Sequence, residues 1–239
     1  MKFDFEKITQ AAALGVAVTA SLTSMSQAAV VINEVYTAGG STAAPIKFDF
    51  VELYNNGESA VSLSGLFLQY ASSAGNFVGA PTGTNALSSQ NFSFATDAVI
   101  AASGYYLVAG SGGSLTGTGS VVAVDGTSGL SLSGTAGKLR LTTSLVADAG
   151  SSAPSSIDFI GYGVGTSLPN AFEGLAPAVA AATTAGFSYN RTLTGGDTNN
   201  NGADFSYLAF SPTAAVPEPA ALGILAVGAG LALKRRNKK

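Results

Sequence analysis

The chain has 239 residues and a mass of 23.6 kDa; 46% of its residues are hydrophobic and only 10% charged, against about 25% charged in an ordinary soluble domain. It contains 30 Gly and no Cys, His or Trp, which excludes Ser-His-Asp and Cys-His catalysis, disulfides, and metal sites built on thiolate or imidazole. The net charge of −3 is uneven: residues 29–215 hold four basic and eleven acidic side chains, a balance of −7, and the last six residues carry +5.

The N-terminus has a charge-free run from Ile8 to Asn33, most apolar over Ala11–Ala20. Ser26-Gln27-Ala28 places small residues at the −3 and −1 positions of a cleavage site after Ala28. This layout predicts a secretory signal peptide over residues 1–28. The alternative, a buried N-terminal helix, is disfavoured by Gly15 and the β-branched residues around it.

Short apolar runs between turn residues then predict strands: Val30–Tyr36, Phe48–Tyr54, Val61–Leu63, Leu66–Tyr70, Tyr105–Val108, Val121–Val124, Leu139–Leu141, Ile157–Ile160 and Phe187–Tyr189. Asn55-Asn56-Gly57 is a turn signal. Three stretches read as loops: Ala71–Asn91, Ala109–Ser120 and Ser167–Ala185, the last because Pro169 and Pro177 interrupt its Ala run. The pattern predicts one all-β domain, a sandwich or barrel.

Few side chains offer chemistry. Glu34, Glu52 and Asp158 lie inside apolar strand runs; carboxylates held about 5–10 Å apart serve glycoside hydrolysis, but buried carboxylates also accept hydrogen bonds structurally. Arg191 is one of four cations in the body, and its fork suits pairing with one of these carboxylates. The run Asp197–Asp204 sets oxygen donors Asp197, Asn199 and Asn201 at alternate positions before Gly202, with Asp204 beyond. That copies the first half of a calcium loop, but Leu208 stands where the bidentate Glu belongs; the competing reading is an Asx-type turn. Tyr36, Tyr54, Tyr70, Tyr105, Tyr106 and Tyr162 are candidates for a sugar-stacking face or for core packing. Gly110–Gly119 lacks the Lys of a phosphate loop.

The order of these motifs resembles bacterial lamin-tail domains. The residues that carry it are Val31-Ile32-Asn33-Glu34-Val35, Phe50-Val51-Glu52-Leu53-Tyr54-Asn55, Leu63-Ser64-Gly65, Gly104–Val108, Ile157–Gly163, Ser188–Arg191 and Asp197–Phe205, spanning residues 29–211. Phe67 departs from the Trp many members carry. The resemblance implies an immunoglobulin-like β-sandwich in which the acidic residues are structural and no residue is catalytic.

Last come Pro217-Glu218-Pro219, an apolar segment Ala220–Leu233 and the cluster Lys234–Lys239. Fourteen residues make about 21 Å of helix, a short transmembrane span whose basic end stays cytoplasmic. The three parts resemble a PEP-CTERM sorting signal, with Pro217, Glu218, Pro219, Arg235 and Arg236 as its motif residues. That resemblance implies a Gram-negative source and an exosortase partner in the inner membrane. Together the readings predict an exported, non-enzymatic cell-surface or biofilm-matrix protein with structural or adhesive interactions and no required cofactor. The rival readings are an extracellular polysaccharide-binding module and an accessory domain of a secreted hydrolase or nuclease. Nucleic-acid binding is disfavoured, because a −7 body repels phosphates.

Overall fold

The computed structural model describes residues 30–79, 89–110, 119–120, 122–148 and 156–212. The signal segment 1–28 and the sorting signal from 216 onward lie outside them. Thirteen strands and one helical turn are described: β1 (Val30–Tyr36), β2 (Phe50–Asn55), β3 (Val61–Ser62), β4 (Phe67–Ser72), β5 (Asn91–Ser93), β6 (Val99–Ile100), β7 (Tyr105–Ala109), β8 (Gly126–Thr127), β9 (Ala136–Thr142), β10 (Ser156–Val164), β11 (Ala178–Ala180), β12 (Phe187–Arg191), α1 (Asn201–Asp204) and β13 (Phe205–Ala209).

They form a six-stranded sheet in the order β13-β12-β1-β2-β7-β8, a five-stranded sheet in the order β11-β10-β9-β4-β5, and a ribbon of β3 and β6. The alternation of the strands explains the pairing of the large sheets. Ile32, Val35, Val51 and Leu53 from one sheet share a core with Leu68, Leu139, Leu141 and Ile160 from the other, so the inner faces close on each other as in a sandwich. A second cluster, Tyr36, Phe50 and Leu107, covers the outer face of the six-stranded sheet. A third, Phe77, Phe159 and Ala171, lies on the outer face of the five-stranded one. The nearly all-β architecture agrees with the sequence. Among the described residues no helix is long and apolar enough to cross a membrane.

Three local expectations need correction. Val122 and Val124 are not in a strand; they pack against the second cluster, and pairing begins only at Gly126. The stretch Ser167–Ala185 is not all loop, since β11 runs parallel to β10 with Tyr162 opposite Ala178. Pro177 stops a helix yet is tolerated just before an edge strand. The expected loop Ala71–Asn91 also contributes Ala71 and Ser72 to β4 and Asn91 to β5. Phe205–Ala209, which the apolar runs of the sequence do not single out, forms the edge strand β13 against β12.

Candidate functional site

The polar residues of interest gather where β1, β10 and β12 meet. Beside a β-bulge between Ile32 and Glu34, the Ile32 backbone N–H donates to Asp158 Oδ2 at 2.6 Å. Arg191 Nη2 donates to the same oxygen at 2.7 Å. Both side chains are fully buried. Arg191 also donates through Nε to Ile32 O at 2.9 Å and through Nη1 to Gly196 O at 2.8 Å, and it lies 4.5 Å over the Phe205 ring. The expected Arg191–carboxylate pair is therefore present, and its partner is Asp158.

The Asp197–Asp204 run wraps the outer end of this guanidinium. Asp197 Oδ1 and Asp204 Oδ2 lie 3.5 Å and 3.4 Å from Nη1. Asp204 also accepts from the N–H groups of Thr198 and Asn200 and from the Thr198 hydroxyl, and Asp197 accepts from Asn199 N. Asn199 takes a positive φ of 54°, which Asn tolerates in tight turns. Asn201 points elsewhere. It is buried, its Oδ1 accepts from Gly161 N and Glu173 N, and its Nδ2 donates to Phe159 O. Of the four calcium candidates, then, Asp197 and Asp204 converge on Arg191, Asn199 stands at the exposed tip, and Asn201 faces β10.

Instead of that set, the fold brings together Asp158, Glu173 and Asp197, whose carboxylates come within 4.8 Å of one another. Burial, together with the charges of Asp158 and Asp197, pushes Glu173 up to about 8. Burial pushes Asp158 up to about 6, against the pull of Arg191. Glu173 escapes a reading of the sequence because it lies between two prolines in an Ala-rich stretch. Hydrogen bonds of its backbone and side chain with Asn201 hold it here.

Glu34 and Glu52 are register partners on adjacent strands of one sheet. Glu34 accepts from Ser188 Oγ at 2.6 Å and Ser211 N at 2.9 Å, and burial raises its pKa. Glu52 accepts from Asn33 Nδ2. Asp158 belongs to the other sheet, so the three carboxylates do not face a common cleft. Among the tyrosines, Tyr36, Tyr70, Tyr106 and Tyr162 are buried, while Tyr54 and Tyr105 stack on each other at 4.8 Å. Among the described residues an open groove of about 680 Å³ lies between β11 and β13, lined by Val179, Thr184, Phe187, Phe205, Tyr207 and Leu208.

Residues 23–163, more than half of the chain, match the family described as Lamin Tail Domain. No curated protein matches. Among solved structures, the chain is similar to a DUF4876 family protein from Bacteroides thetaiotaomicron, with 14% identity and a TM-score of 0.48 over 80% of this chain and 73% of that one. The matched span contains the bulged first strand and Asp158, the carboxylate on which the buried hub is built, and on it the chain belongs to the lamin tail domain family.

Proposed function

We propose that this is an exported, non-enzymatic surface or matrix protein, delivered by an exosortase through its C-terminal signal, whose β-domain makes structural or adhesive contacts. The observation that carries the reading is the succession Pro217-Glu218-Pro219, Ala220–Leu233 and Lys234–Lys239. On this reading the apolar segment would hold the chain in the inner membrane, while Pro217 and Pro219 would favour an extended motif open to a protease. Arg235 and Arg236 keep the tail on the cytoplasmic side. The engagement of the buried carboxylates by backbone and guanidinium donors supports a structural role for the domain. Mass spectrometry of the protein from its native host tests the reading. We expect a start after Ala28 and an end near Pro217; released protein that still carries Lys239 overturns it.

The groove between β11 and β13 favours a second reading, an extracellular polysaccharide-binding module. Phe187 is 37% exposed there, and its ring lies 5.6 Å from that of Tyr207, which gives sugars an aromatic wall. Binding on a glycan array that is lost in Phe187→Ala supports this reading, and an array without binding removes it.

A further inference from the structure

Lys138 stands in β9 and is fully buried, although a lysine ammonium is among the groups most costly to desolvate. Its Nζ donates to Gly75 O at 2.6 Å and to Asn170 Oδ1 at 2.7 Å. The Phe77 ring lies 5.7 Å away. Arg140, two residues on, stacks on the same ring at 4.2 Å and holds Asp148 at 3.0 Å. The Asn170 loop is itself fixed: its backbone N–H donates to Ser73 O at 2.8 Å. Gly161 lets that loop lie flat on β10, since a Cβ there would sit 2.3 Å from Ala171 O. A primary amine is thus held against a carboxamide, with an aromatic ring above it and a carboxylate nearby.

We propose that Lys138 and Asn170 form an intramolecular amide cross-link. A nitrogen 2.7 Å from the carboxamide oxygen is within about 4 Å of its carbon, given a C=O bond of about 1.2 Å. A shift of under an ångström therefore reaches the about 3–3.5 Å of a near-attack geometry. Lys138 Nζ adds to Asn170 Cγ, the new N–C bond forms, and the Cγ–Nδ2 bond breaks. Lys138 gives up two protons, one on shedding its charge and one on acylation, and both leave with Nδ2, so the ammonium side chain and the carboxamide become a secondary amide and one ammonium ion. No oxidant, reductant or other co-reactant is needed. Burial lowers the Lys138 pKa, Asp148 pulling the other way, which favours the neutral amine that attacks. Asp148, bridged to Phe77, is paired with Arg140 at 3.0 Å and sets the negative charge on this side of β9. The bond ties β9 to the loop after β10 in a chain that has no cysteine for a disulfide.

Peptide mapping of the full chain decides the matter. Between residues 29 and 215 trypsin can cut only after Lys47, Lys138, Arg140 and Arg191. The cross-link predicts resistance at Lys138 and a branched product joining 48–140 to 141–191, lighter by one ammonia than the sum of its parts. Asn170→Ala should restore cleavage at Lys138 and the unlinked masses, as should Lys138→Arg at its own new site. Wild-type protein that yields the separate peptides 48–138 and 141–191 at full mass after prolonged incubation overturns the proposal, whether or not either variant folds.

Discussion

Arg191 of the six-stranded sheet and Asp158 of the five-stranded sheet meet at 2.7 Å with neither side chain exposed. The pair is a strut between the layers. It acts with the Ile32 N–H, which shares the same carboxylate oxygen, so β1, β10 and β12 are held at one atom. Removing one partner of a buried pair strands the other charge in a medium that solvates it poorly.

Arg191→Ala should therefore destabilise the domain by about 3–5 kcal/mol. Urea denaturation followed by tyrosine fluorescence measures it. A variant that unfolds at the wild-type temperature would deny the strut any energetic role. Arg191→Lys should recover little, because a single ammonium cannot reach Asp158, Ile32 O and Gly196 O together.

Stability should fall as pH rises from acid toward neutral. Burial lifts Asp49 from 3.8 to about 7, alongside the raised Asp158 and Glu173. Each of these acids binds its proton more tightly folded than unfolded. Their contribution is complete below the unfolded values near 4 and is lost as pH rises through about 6 to 8. The melting temperature should thus be higher at pH about 5 than at about 8. Asp49→Asn should flatten the curve, since an amide needs no proton to stay neutral, but lower it throughout, since only one of its two atoms can accept from Gly39 N and Leu132 N. A wild-type curve that climbs with pH across this range contradicts the assignment.

Asn201→Ala should cost about 2–4 kcal/mol, because it leaves the buried N–H of Gly161 and that of Glu173 without an acceptor. Asn201→Asp tests the geometry differently. It keeps the acceptor but turns the donor to Phe159 O into an acceptor facing an acceptor. Both variants are read by the shift of the denaturation midpoint at constant slope.

Calcium should have little to grip at the Asp197–Asp204 turn. The carboxylates that converge there already face Arg191, and Asp204 is occupied by three further donors. Millimolar calcium and chelator should give the same melting temperature. A rise of several degrees on adding calcium would overturn this expectation.

Alanine at Gly161 should be poorly tolerated. Its Cβ would stand 2.3 Å from Ala171 O and 2.8 Å from Phe172 Cβ, which forces the covering loop off β10. A loss of about 1–3 kcal/mol should appear in thermal melts.

The strands that carry an alternating face were legible in the sequence. Val30–Tyr36 and Phe187–Tyr189 announce themselves by β-branched and aromatic residues, and the Arg191 pair follows from the scarcity of cations in an acidic body. What was hidden depends on neighbours distant in the chain. Ala178–Ala180 carries no pattern of its own; it is a strand because Tyr162–Val164 lies beside it. Glu173 joins the hub because Asn201, 28 residues on, reaches back to it. Lys138 alternates with Leu139 as any exposed lysine would, and only the loops laid over β9 make it buried.

The place of β1 between β2 and β12 also sets a timetable. β2 follows β1 closely along the chain, but Arg191, which ties β12 to the Ile32 carbonyl, comes 159 residues later. Contacts this far apart make closure slow. During synthesis the central sheet stays open until nearly the whole domain has been made. The edge of β1 that takes β12 therefore has no partner strand until the last part of the domain is made, and the sheet locks only when β12 and β13 arrive.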